Sequence, residues 1–194
     1  INNVSQLPDI QGSKYIHSDM SGIYRELKIV LKTGRWVLYC GTRCQVAGLL
    51  SFLCKIPENL ITIDLVCNGG PSVNLLKYYE DYKTIKSFRD KEEGWKHGSK
   101  LTFVDKQGNL IVGDKDADIQ ENGFLQGMTN RSSCYDCHYA YPHTKADMTI
   151  MDYWGEKDYP EEHFKGISCV ILNTSKGKEI AERSNVVLIE SKWE

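Results

Sequence analysis

The chain has 194 residues, 41% hydrophobic and 26% charged, with a net charge of −2. That composition belongs to a soluble globular protein with a sizeable core; it lacks the basic surplus of a nucleic-acid binder and any apolar run near the roughly 20 residues that span a bilayer. The polar first residues do not form a signal peptide, and seven cysteines, an odd number, favour a reducing, cytoplasmic setting over a disulfide framework.

In chain order, residues 1–19 read as irregular, with a turn at 12–15. Ser21 is a candidate helix N-cap, followed by Ile23, Leu27, Val30 and Leu31 at helical spacing, with Gly34 as the stop. Residues 35–40 form a short apolar strand, 41–43 a turn, and 44–53 a helix with Val46, Leu49, Leu50 and Leu53 on one face. Residues 59–66 are a second buried strand. Pro71 then suits a helix start, with Leu75, Leu76, Tyr79 and Tyr82 at helical spacing. Helix, strand, helix, strand, helix suggests a parallel core sheet.

The middle of the chain changes character. Residues 84–89 are a strand, and 100–105 with 110–113 flank a turn at 106–109, which reads as a hairpin. A short helix at 122–128 leads to Cys134 and Cys137. Strands are expected at 147–152, at 167–173 as a buried element, and at 186–190, with a helix at 175–184. The fold class is α/β, with a mixed, largely parallel sheet flanked by helices. The chain is read as one domain, 1–194, and as a fragment of a larger protein.

The cysteines carry the chemistry. Cys134 and Cys137, two residues apart, put two soft ligands on one tight turn, as zinc or an iron–sulfur cluster requires. Cys54, ending a helical run, and Cys169, inside a strand, read as small buried hydrophobes. Cys44 would open a helix, where the dipole and the adjacent Arg43 stabilise a thiolate; it is preferred to Cys40. Cys67 ends the neighbouring strand, and the loops at the carboxyl ends of such strands are the usual ligand sites. Cys44, Cys67, Cys134 and Cys137 could close a four-thiolate zinc site or a cubane cluster. On residues alone the choice stays open.

Several stretches together resemble one family. Residues 41–49 (GTRCQVAGL) look like its GTPCQxAGL signature, and residues 64–72 (DLVCNGGPS) like DLxCHGxPS. Residues 88–91 with 94–95 resemble FRDKxxGW, and residues 133–137 with 146–155 resemble the SCxxC…ADiTiGDfWG block. Residues 12–15 (GSKY) also fit. This is the beta-subunit family of the coenzyme F420 hydrogenases and dehydrogenases, in its C-terminal domain. The resemblance implies an iron–sulfur flavoprotein that binds FAD and a 4Fe–4S cluster and passes electrons between the cluster and a flavin or deazaflavin. It assigns the cluster to Cys44, Cys67, Cys134 and Cys137 and favours iron over zinc. It also implies a ferredoxin-like domain or another electron-transfer protein as partner. Bacterial relatives are often encoded with polysaccharide-synthesis enzymes. An upstream Ser/Gly-rich flavin segment and the ferredoxin-like domain are absent from this chain. Arg43 stands where the family has proline, Asn68 where it has histidine, and Met151 where it has glycine. The rival reading is a non-catalytic interaction domain with zinc or an empty site.

Within that resemblance, Gly69, Gly70 and Ser72 could hold a dinucleotide phosphate through backbone amides and the Ser72 hydroxyl, with Gly41 and Thr42 as a second such turn. Lys14 and Tyr15 could touch flavin or substrate, although a solvated lysine is the plainer reading. Arg89 and Lys91 could bind an anion. Trp95 and Trp154 could stack on an isoalloxazine ring, or simply fill the core. His138 could act beside Cys137; His17, His97, His143 and His163 read as exposed polar residues. No Ser–His–Asp arrangement or carboxylate pair supports hydrolysis.

Overall fold

Alternating burial along two short strands sets the architecture. A computed structural model describes residues 1–79, 82–89, 94–95, 100–113, 119–140, 144–155 and 159–191. Its helices are α1 (Leu7–Ile10), α2 (Ile23–Lys32), α3 (Arg43–Leu53), α4 (Ile119–Leu125), α5 (Ser132–Tyr135) and α6 (Ser175–Arg183). Its strands are β1 (Val37–Thr42), β2 (Leu60–Leu65), β3 (Tyr82–Ser87), β4 (Thr102–Asp105), β5 (Leu110–Val112), β6 (Met148–Asp152) and β7 (Ser168–Leu172). The chain divides into two compact units, Met20–Cys67, His138–Asp152 and Ser168–Glu194 in one, Ile1–Asp19, Asn68–Cys137 and Tyr153–Ile167 in the other.

The first unit holds a four-stranded sheet in the order β1-β2-β6-β7. β1 pairs with β2 and β2 with β6 in parallel, while β7 closes the edge antiparallel to β6. The sheet is thus mixed and largely parallel, as the sequence pattern suggests. Leu60, Thr62 and Asp64 are buried at alternate positions of β2, the period-2 signature of one covered face. α3 supplies that cover: Val46, Leu49, Leu50 and Leu53 join Leu31, Tyr39, Leu60 and Ala146 in one core cluster. Each such leucine removed from water contributes about 1.5–3 kcal/mol.

A polar tie fastens the lower end of this sheet. The Asp147 carboxylate accepts from the Thr62 amide at 2.9 Å, the Thr62 hydroxyl at 3.0 Å and the Thr174 hydroxyl at 2.8 Å. Lys176 lies 3.6 Å from the same carboxylate. Thr174 also caps α6 by accepting from the Gly177 amide at 3.0 Å. Buried Asp147 is therefore satisfied by β2 and by the start of α6, which accounts for a charge in that position.

The second unit is built on an antiparallel sheet, β3-β4-β5. The predicted hairpin is present. Asp105 holds its turn, accepting from the Gln107 amide at 2.9 Å, the Asn109 amide at 2.8 Å and the Asn109 side chain at 2.9 Å. Gly108 adopts φ +93°, which lets the turn close without strain.

Four local expectations are corrected. Gly22, with φ 82°, rather than Ser21 occupies the N-cap of α2. The helix expected after Pro71 is a 3-10 segment, Val73–Tyr79, and Tyr82 opens β3. The reason is non-local: Pro71 forms an isolated bridge with Asn130, and the Ser72 amide donates to the Thr129 carbonyl at 3.2 Å. The strand at 168–172 is a half-exposed edge element rather than a buried one. Residues 186–190 form no strand, and Val187 is 87% exposed. Among the described residues no helix is long and apolar enough to cross a membrane.

Candidate functional site

In the unit with the four-stranded sheet, two of the singled-out cysteines leave neighbouring strands at the same end. Gly41 pairs with Asp64 and Thr42 with Leu65 across the parallel β1–β2 register. Cys44 lies in the first turn of α3, just beyond β1, and Cys67 two residues beyond β2. Thr42 is the N-cap of α3. Its amide donates to Gln45 Oε1 at 2.9 Å, and its hydroxyl lies 3.1 Å from Cys44 Sγ. The hydroxyl that could meet a phosphate is thus engaged with a sulfur.

Beneath these loops sits a buried ion pair. Arg43 is 5% and Asp64 1% exposed, with Arg43 Nε 3.7 Å from Asp64 Oδ2. The Thr144 hydroxyl donates to the same oxygen, while Asp64 Oδ1 is buried without a hydrogen-bond partner. The residue that replaces the family's proline therefore neutralises a carboxylate three positions before Cys67. Cys40, in β1, is an exposed residue whose thiol pKa is raised by desolvation around the sulfur and by the Asp64 charge. Both effects disfavour its thiolate, the form that ligates metal.

In the other unit, the stretch directly after Cys67 is paired with the stretch directly before Cys134. The Arg131 amide donates to the Gly70 carbonyl at 3.0 Å, and the Ser72 amide to the Thr129 carbonyl at 3.2 Å. The Asn130 side chain donates to the Asn68 carbonyl at 3.3 Å. Gly69 has φ +120°, and a Cβ there would collide with the Asn130 side chain. The glycine is explained by that close approach.

Arg131 precedes α5 as its N-cap, and its carbonyl accepts from the Cys134 amide at 2.8 Å. Its guanidinium turns the same way: Nη2 lies 3.9 Å from Cys134 Sγ. Its Nε is buried without a hydrogen-bond partner. Cys134 is half-buried, as is Cys44, while Cys67 and Cys137 are exposed. Asp64, Asn130 and Arg131 were not singled out from sequence as site residues. The one local signal was a basic residue placed three positions before the first cysteine of the pair.

The remaining candidates are mostly committed to the protein itself. Lys14 Nζ donates to the carbonyls of Ile10, Gln11 and Gly12 at 3.2, 2.8 and 3.4 Å. It lies on a cleft of about 210 Å³ lined also by Gln11, Ser13, Ile85, Lys86 and Phe88. The Ser72 hydroxyl accepts from the Asn74 amide at 3.3 Å. Arg89 donates to the Trp95 carbonyl and covers the Trp95 ring at 5.8 Å. Trp95 is 3% exposed and belongs to the core, whereas Trp154, 68% exposed, leans on it with ring centroids 4.9 Å apart. Tyr15 stacks on Phe124 at 4.4 Å.

His163 is exposed as expected, but His17 is half-buried; His138, offered as a group beside Cys137, is exposed. Cys54 is not a buried hydrophobe: it is exposed at the end of α3 with φ 60°. Cys169 is half-buried, because its strand is an edge. Lys91, His97 and His143 lie outside the described residues. Among the described residues no three His, Cys, Asp or Glu side chains are grouped closely enough for a metal ion. Cys44 and Cys67 lie in one unit and Cys134 and Cys137 in the other; thiolate is a donor type that zinc and iron–sulfur clusters take.

Residues 34–191 match the family described as the C terminus of the coenzyme F420 hydrogenase/dehydrogenase beta subunit. The chain belongs to this family. It is the same family that the cysteine-bearing motifs resemble. The fold is similar to that of a chain in the F420-reducing NiFe hydrogenase complex from Methanosarcina barkeri, with a TM-score of 0.52 and 21% identity. The match covers 89% of this chain and 56% of that one, so the chain spans little more than half the length of its structural neighbour. No curated protein matches it.

Proposed function

We propose that this chain is an electron-transfer part of an oxidoreductase of the F420 hydrogenase/dehydrogenase type, with Cys44, Cys67, Cys134 and Cys137 as the ligands of a 4Fe–4S cluster. The observation that carries the reading is the pairing of Asn68–Ser72 with Thr129–Arg131. It ties the residue after Cys67 to the residues before Cys134. The parallel register of β1 and β2 supports the other half, because it brings Cys44 and Cys67 out of adjacent strand ends.

A 4Fe–4S cluster supplies one-electron steps, and a flavin such as FAD interconverts these with hydride chemistry. The protein's own residues bear on this in three ways. Thr42 holds the Cys44 sulfur at the start of α3. The Arg43–Asp64 pair keeps the two strand ends electrically balanced. The Asn130 side chain fixes the backbone turn next to Cys67. For FAD, Lys14, Thr42, Ser72 and Arg89 already have internal partners. A flavin held by these side chains would exchange with those bonds; Gly69 and Gly70 would offer backbone only. A second electron-transfer protein, such as a ferredoxin-like domain, is the partner this role requires.

The test is cysteine replacement followed by anaerobic reconstitution. Cys134→Ser or Cys137→Ser is expected to abolish iron and sulfide loading, and Cys54→Ser to leave it intact. Equal loading in all three variants would refute the ligand assignment.

A further inference from the structure

The guanidinium of Arg131 stands apart from the other charges near the cysteine motifs. Arg43 is matched by Asp64 at 3.7 Å within a buried pair. Arg131 instead directs Nη2 toward Cys134 Sγ at 3.9 Å. Its backbone is held on both sides: the Arg131 amide donates to the Gly70 carbonyl, and the Arg131 carbonyl accepts from the Cys134 amide. The same guanidinium lies over Gly70, in ordinary contact distance of where a Cβ would stand, 3.7 Å from Nε and 3.8 Å from Nη2. Nε is buried and has no hydrogen-bond partner. The side chain is thus packed and oriented, and a sulfur is the acceptor at the end of its reach.

We propose that Arg131 is a positioning residue that sets the reduction potential of the centre bound by Cys134. The proposal rests on the cluster reading given above. A hydrogen bond from a cation draws electron density from a ligating sulfur, and hydrogen bonds to sulfur and net charge are main determinants of cluster potential. Reduction adds an electron, so a nearby positive charge favours the reduced state. The guanidinium is permanently charged, which makes the effect independent of pH across the physiological range.

Three variants separate charge from donation. Arg131→Lys keeps both charge and donor, Arg131→Gln keeps a donor without the charge, and Arg131→Met removes both. They are reconstituted anaerobically with iron and sulfide, and the midpoint potential is read by redox titration with visible and electron paramagnetic resonance spectra. The expected order, most positive first, is wild type and Lys, then Gln, then Met. Met should shift the reduction equilibrium toward the oxidised state by about tenfold, which is about 59 mV for a one-electron couple. If Met does not load, Gln carries the comparison. A loaded Gln or Met variant at the wild-type potential overturns the proposal. A wild-type protein that takes up no iron and sulfide overturns instead the cluster reading on which it rests.

Discussion

At the residue scale, a buried ion pair lies next in the chain to Cys44 and three positions before Cys67. Arg43 and Asp64 are both almost fully buried, and each compensates the other. Taking one away strands a charge in low dielectric, which costs about 3–5 kcal/mol in comparable pairs. Arg43→Met should therefore lower unfolding stability by about that amount in urea titrations. A change below about 0.5 kcal/mol, the size of ordinary surface substitutions, would mean that the pair is solvated. Cys54 illustrates the limit of local reading. An apolar helical run suggests burial, yet the residue ends α3 at φ 60° and faces solvent. The chain turns away from the core one residue after buried Leu53, and composition does not report that.

At the element scale, the clearest lesson lies in the segment after Pro71. Local pattern favours a helix there, because proline is comfortable at a helix start. The structure instead pairs Pro71 with Asn130 and commits the Ser72 amide to the Thr129 carbonyl, partners far along the chain. Such pairing is invisible to periodicity, since no property of residues 68–72 names residues 129–131. The α3 helix was legible because its apolar residues recur every three or four positions and all four are buried. The run 186–190 was misread for the converse reason. Its valines and isoleucine suit a strand, but the described structure gives it no ladder.

The hairpin between β4 and β5 offers a pH test at the same scale. Asp105 has a lowered pKa, chiefly through the Asn109 side chain and then through backbone amides of the turn. A lowered folded pKa means stability that is full above the ordinary value of 3.8 and lost as pH falls through the folded one. The amides of Gln107 and Asn109 should lose hydrogen-exchange protection, relative to neighbouring sheet amides, only below that ordinary value. Asp105→Asn should show the same loss already at neutral pH. Unchanged protection in both experiments would remove Asp105 as the holder of the turn.

At the scale of the whole molecule, both the α/β class and the cysteine motifs were readable from sequence. The strands that lead into Cys44 and Cys67 are short, and α3 joins them, which is the ordinary route to a parallel pair. The location of Cys134 and Cys137 in a second compact unit was not readable, because unit boundaries reflect contacts between distant stretches. The most direct measurement is the iron, acid-labile sulfide and zinc content of the chain after anaerobic reconstitution. The expected result is about four irons and about four sulfides per chain, with a broad absorbance in the blue that reduction bleaches. One zinc per chain with no iron or sulfide would contradict the electron-transfer reading.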